Sequence, residues 1–129
     1  MPITSIQSIA NLHPVVQYAI RNREHPDDTG GEGQFIVVDP GDIVPVTMWV
    51  PWADEQNNLD HNHYVEFEAL GTTTHPLPKV PDSYIVWQHR DYIYYSLDTN
   101  YSNGGLVRGN TTIGGARSVE IGDAYLRFY

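Results

Sequence analysis

Short runs in which apolar and polar side chains alternate recur along most of this chain, each bounded by glycine, proline, asparagine or aspartate. A period of two puts successive side chains on opposite faces of extended backbone, so the pattern constrains the fold to half-buried strands packed in layers. Seven runs rich in Val, Ile, Tyr, Phe and Trp qualify, at residues 15–21, 34–38, 43–50, 63–70, 84–89, 92–97 and 124–129. Two more short strands are expected around Gly109-Asn110, a hairpin turn pair in LVRGNTTI. The expectation is an all-β, single-domain antiparallel β-sandwich or jelly roll of seven to nine short strands over residues 1–129. Only the spacing of Ile3, Ile6, Ile9 and Leu12 predicts a helix, ending before His13-Pro14.

Turn chemistry sharpens this outline. Asp39-Pro40-Gly41-Asp42 carries Pro and Gly at the two central positions of a type II turn, so the runs on either side form a hairpin or a tight corner. Residues 27–33 and 71–83 have no period and read as loops. Within residues 43–50 the set Val44, Val46, Met48 and Val50 faces the core, and Pro45 on the other face argues for an edge strand or a bulge. Trp49 then faces outward, as do Tyr92 and Tyr94 in their strand and Tyr125, Arg127 and Tyr129 in the last one, opposite Ala124, Leu126 and Phe128. Trp87, within the apolar run YIVW, is expected to be buried.

The charge distribution narrows the partners. The formal net charge is −9, and residues 24–78 hold eleven Asp or Glu without a single Lys or Arg. Phosphate backbones are bound chiefly through Lys and Arg, so nucleic acid is excluded as an expected partner. No run approaches ~18 consecutive apolar residues, so no transmembrane segment is expected, and the N-terminal stretch has no basic leader. The expectation is a soluble protein, cytoplasmic or exported without a classical signal peptide. The absence of cysteine removes disulfides, zinc–thiolate sites and thiol nucleophiles.

Four of the six histidines, His25, His61, His63 and His75, lie in the acidic stretch. In DHNHYVEFE, residues 60–68, the His61-Asn62-His63 string followed by Glu68 resembles the first motif of cupins, small jelly-roll metalloproteins. The resemblance implies a divalent metal, or a metalloenzyme, held by His61, His63 and Glu68, although the glycine six residues before His61 and the downstream PxGxxH of that family have no counterpart here. Strand alternation argues differently. It puts His61 and His63 on the face of Val65 and Phe67 and turns Glu66 and Glu68 to the other, which leaves the histidines to cap the open end of the core. A third reading is a pH sensor, since protonated His61 and His63 would gain from the adjacent carboxylates. Asp98-Thr-Asn100-Tyr-Ser102 and residues 54–60 space side-chain oxygens as the first half of a calcium loop does, but both lack its glycine and terminal acid.

No nucleophile elbow, phosphate loop or dinucleotide fingerprint occurs, so no cofactor and no catalytic residue is expected. What remains is aromatic and amide-rich surface. Sugars are recognised by stacking on Trp or Tyr while Asp, Asn and Gln take the hydroxyls. The resulting expectation is a non-enzymatic, lectin-like carbohydrate-binding domain using Trp49, Trp52, Asp54, Gln56, Asn57, Asn58, Tyr92 and Tyr94. The alternatives are the cupin-like metal protein, a membrane-active β-sandwich toxin, and a structural domain that binds another protein or forms a homo-oligomer through its aromatic face.

Overall fold

The computed structural model of the chain describes residues 3–70 and 82–129, so most of the loop expected at 71–83, with His75, falls outside it. The strands are β1 Thr4–Asn11, β2 Gln17–Asn22, β3 Ile36–Val38, β4 Ile43–Trp49, β5 Val65–Leu70, β6 Tyr84–His89, β7 Tyr92–Ser96, β8 Gly105–Leu106, β9 Arg108–Gly109, β10 Gly115–Gly122 and β11 Tyr125–Phe128. They form two open sheets, one of five strands in the order β4-β1-β10-β11-β9 and one of six in the order β3-β2-β5-β6-β7-β8. The all-β sandwich expected from the alternation is the observed architecture. Most pairings are antiparallel, but β1 runs parallel to β10 and β9 parallel to β11.

The core lies between the sheets. Ile6, Ile9, Met48, Val119, Ile121, Leu126 and Phe128 enter it from the five-stranded sheet, and Tyr18, Ile20, Val38, Val65, Phe67, Tyr84, Val86 and Ile93 from the other. The inward sets expected for β4 and β11 hold for Met48, Val50, Leu126 and Phe128, which are buried. Ala124 departs from them. It sits at φ +69 in the two-residue turn that pairs Gly122 with Tyr125, and it is exposed.

The predicted N-terminal helix is strand β1, and a bulge explains the misleading spacing. Register against both neighbours shifts between Ile6 and Ser8. The extra residue lets Ile6 and Ile9, three positions apart, both face the core, while Ile3 and Leu12 stay exposed. Pro45 lies opposite Ser8 beside this irregularity, on the edge strand of its sheet. The type II turn is present, with Gly41 at φ +84 and the Asp42 N–H donating to the Asp39 carbonyl at 3.0 Å. It is the corner rather than the hairpin, because β3 and β4 belong to different sheets.

LVRGNTTI is likewise no hairpin, since β8 pairs with β7 and β9 with β11. Gly109 is held at φ +80, and any Cβ there would run into the Phe128 carbonyl of β11. Strand β10 was not anticipated. Its inward set is Arg117, Val119 and Ile121, and the arginine breaks the apolar pattern. Arg117 is buried with its charge dispersed onto carbonyls, Nε donating to Gly114 O at 3.0 Å and Nη2 to Thr112 O at 2.7 Å.

Three buried carboxamides join the sheets. Asn11 at the end of β1 donates to the carbonyls of Val16 at 2.7 Å and Val38 at 2.9 Å, and accepts from the His13 N–H. Asn22 of β2 donates to the Trp49 carbonyl of β4 at 2.7 Å. Gln88 of β6 accepts from the Thr4 hydroxyl of β1 at 2.7 Å and donates to the Val50 carbonyl. Deleting such a group strands its buried partners without water. Asn11→Ala is therefore expected to lower the unfolding free energy by about 3 kcal/mol in a urea titration; a loss below about 0.5 kcal/mol, the level of an ordinary surface change, would show that the amide does not join the sheets.

Candidate functional site

A second, smaller apolar cluster lies on the outer face of the six-stranded sheet. The short helix α1 Gln56–Asp60 presses Leu59 onto Ile85 and Trp87, with Ala53 and Tyr64 completing the buried set. Asn58 holds the start of α1, its Oδ1 accepting from the backbone N–H groups of Asp54 at 2.8 Å and Glu55 at 3.2 Å. Trp87 is buried as expected. Gly104 lets the neighbouring loop close over it, since a Cβ there would lie 2.7 Å from the Trp87 ring.

Around that cluster, alternation along the β6–β7 hairpin gathers polar and aromatic groups at the surface. Trp87 pairs with Tyr94 and His89 with Tyr92 across the two strands. The Trp87 and Tyr94 rings stack with centroids 6.2 Å apart, and Tyr101 lies 5.7 Å from Trp87. His89 stands edge-on to Tyr94 and Tyr101, 6.1 Å from each. Its Nδ1 is 2.9 Å from Asp54 Oδ1. A carboxylate can only accept, so Nδ1 carries a ring proton, and in the neutral tautomer Nε2 is then the acceptor. The Asp54 side chain is 71% exposed against 20% for His89, so one carboxylate edge faces solvent beside three partly exposed rings. Gln56 ties the helix to the adjoining loop, donating to the Thr99 carbonyl at 2.7 Å and accepting from the Tyr101 N–H at 2.7 Å.

A shallow trough continues from this group, lined by Gln56, Asp98, Thr99 and Asn100. Asp98 and Thr99 also line a neighbouring hollow with Glu66 and Glu68. The Asn100 N–H, then the Asn103 and Ser96 side chains, hold the Asp98 carboxyl below the usual carboxylate range. Asp98 and Asn100 thus spend oxygens on their own loop, as a solvated turn does, rather than turning them toward an ion.

The structure brings Asp54, Gln56, Tyr92 and Tyr94 of the expected ligand set into one surface, with Asn58 as a structural support beneath it. Trp52 is half-buried beside β6, in a parallel bridge to Gln88. Asn57 is exposed and lends its carbonyl to the His61 ring at 2.7 Å. Trp49 belongs to another neighbourhood, edge-on to His25 at 4.5 Å. His89 and Tyr101 were missed. The alternation of YIVWQH signalled the first, since His89 shares the outer face with Trp87; nothing local signalled Tyr101, which arrives on a loop.

The three residues of the metal reading have separate partners. His61 ends α1 rather than entering a strand, and Asn62 at φ +64 turns the chain before β5 begins at Val65. His63 faces Glu24, with Nδ1 3.6 Å from Oε1. Glu66 and Glu68 do point away from the core, and both accept from Arg21 Nη1, at 2.7 and 3.2 Å. Among the described residues no group of three or more His, Asp or Glu is arranged to hold a metal ion.

Comparison of the chain with models of known protein families, with curated proteins and with solved structures finds no match. Fold and surface describe an all-β sandwich with a helix-capped aromatic face. Among the described residues no helix is long and apolar enough to cross a membrane.

Burial, with help from the nearby Asp54 and Tyr94 and against Arg90, raises the Tyr101 phenol above its ordinary pKa. Removing the Asp54 charge lessens the repulsion of the tyrosinate. An NMR titration of Asp54→Asn should find Tyr101 ionising at lower pH than in the parent chain, yet still above the ordinary tyrosine value because burial persists; an unmoved Tyr101 would separate the two groups.

Proposed function

We propose that this chain is a non-enzymatic, lectin-like binding domain that takes carbohydrate on the outer face of its six-stranded sheet. The observation that carries the reading is the Asp54–His89 pair flanked by the partly exposed rings of Tyr94 and Tyr101. A pyranose offers an apolar C–H face and a rim of hydroxyls. The tyrosine rings supply the apolar platform, the solvent-facing edge of Asp54 accepts from hydroxyls, and His89 Nε2 offers a second acceptor. The Asp54–His89 bond orients both groups before a ligand arrives, which reduces the ordering cost of binding.

A binding role also suits the chemistry better than hydrolysis or acyl transfer. An Asp–His pair is two-thirds of a nucleophilic triad, but among the described residues no hydroxyl is hydrogen-bonded to the His89 ring. The trough through Gln56, Thr99 and Asn100 extends the polar surface beyond a single sugar ring.

A glycan array is expected to give hits that weaken about tenfold in Tyr101→Ala, a loss of roughly 1.4 kcal/mol and within the range of one lost ring contact. Asp54→Asn should weaken the same hits while leaving the far-UV spectrum unchanged. An array without hits, or hits indifferent to both substitutions, would rule this surface out as a sugar site.

A further inference from the structure

We infer a second ligand site, for a small carboxylate-bearing molecule, in a cleft of about 200 Å³ where the loop after β2 folds back over the strand. Its walls include Arg21, Arg23, Glu32, Gly33, Gln34 and Asn62. Two of the seven cationic residues of a chain with net charge −9 thus line one small concavity. They come from alternate positions, Arg21 opposite Glu66 in the β2–β5 pairing and Arg23 beyond it, where its N–H donates to the Tyr64 carbonyl at 3.0 Å.

The two arginines have different work. Arg21 is spoken for: Nη1 holds Glu66 and Glu68, and the guanidinium lies 4.8 Å above the Phe35 ring. It neutralises these two strand carboxylates and stays fixed between them. The Arg23 guanidinium makes no hydrogen bond among the described residues and reaches Glu66 only at 3.9 Å, with its side chain 40% exposed. Its planar fork of N–H groups is therefore available to a carboxylate, for which its geometry is matched.

The facing loop adds backbone donors. Gly30, Gly31 and Gly33 stand at φ +100, +118 and +76. Glu32, whose φ is not positive, is followed by Gly33 at positive φ, and such an alternation of hand turns successive N–H groups toward a concavity that suits an anion. The Gly30, Gly31 and Gln34 N–H groups are used within the loop, whereas those of Glu32 and Gly33 donate to nothing among the described residues. The glycines are there for backbone conformation, since a Cβ on Gly31 or Gly33 would meet nothing within 4 Å. Glu32 on the same wall disfavours a multiply charged anion, so the ligand class is a monoanion whose remaining atoms are neutral and polar, with Gln34 and Asn62 to meet them.

D-glucuronate, with neutral D-glucose as its control, tests the assignment on the full chain by ¹⁵N-resolved NMR, including the arginine side-chain Nε–H signals. Glucuronate should move the Arg23 Nε–H and the Glu32 and Gly33 amides along one saturable curve, and glucose should leave them in place. Arg23→Ala should weaken glucuronate binding at least tenfold and Arg23→Lys, which keeps the charge without the fork, should fall between. The remaining amide spectrum of each variant reports that it is folded. Non-saturating shifts, equal shifts with glucose, or an unchanged affinity in a folded Arg23→Ala would each overturn the site.

Discussion

Everything in this sandwich depends on buried carboxamides that hydrogen-bond from one sheet to the other. An Asn or Gln side chain carries both a donor and an acceptor, and out of water each must find a partner or cost roughly 1–3 kcal/mol. Asn11, Asn22 and Gln88 satisfy that demand only with the sheets in their observed alignment. Hydrophobic burial of Ile6, Ile9, Phe67, Val86 and Phe128 draws the layers together but is indifferent to sliding. The amides are not. Since Thr4 and Asn11 are the first and last residues of β1, this inner strand of the five-stranded sheet is fastened at both ends.

The same chemistry delivers the surface group. Gln88 also uses its backbone, its N–H donating to Pro51 O at 2.8 Å and its carbonyl accepting from Ala53 N–H at 3.1 Å. The segment after β4 is thereby laid alongside β6, in a place that β5, starting at Val65, leaves vacant. Asp54 follows one residue later and meets His89. Burial of Leu59 on Trp87 holds α1 down, and Gln56 couples it to the loop bearing Tyr101. Core alignment and surface geometry are thus consecutive consequences of one buried residue, the first through its side chain and the second through its backbone.

Legibility in the sequence followed how local each cause was. The runs at β4 and β7 and the outward Glu66 and Glu68 follow from a period of two, which any strand obeys whatever its partners. Strand β6 with its buried Trp87 follows from the unbroken apolar run YIVW. β1 misled because a bulge converts a period of two into a spacing of three, and a bulge is a property of a strand pair. β10 escaped because an inward arginine is tolerable only once the Thr112 and Gly114 carbonyls are seen around it. DHNHYVEFE looked like a ligand string because its residues are close in sequence. A helix end at His61, a left-handed Asn62 and a strand start at Val65 send its side chains to Asn57, Glu24 and Arg21 instead.

By itself the sequence determined an all-β sandwich, its type II corner at Asp39–Asp42, and an acidic, aromatic-rich surface without a cofactor motif. These rest on periodicity, backbone preference and composition, all short-range properties. Which sheet each strand joins, the parallel pairing of β1 with β10, and the meeting of Asp54, His89, Tyr94 and Tyr101 were decided by tertiary structure alone. The physical reason is that a buried amide or a stacked ring selects a partner tens of residues away by hydrogen-bond geometry and shape, and neither quantity is written in the order of neighbouring residues.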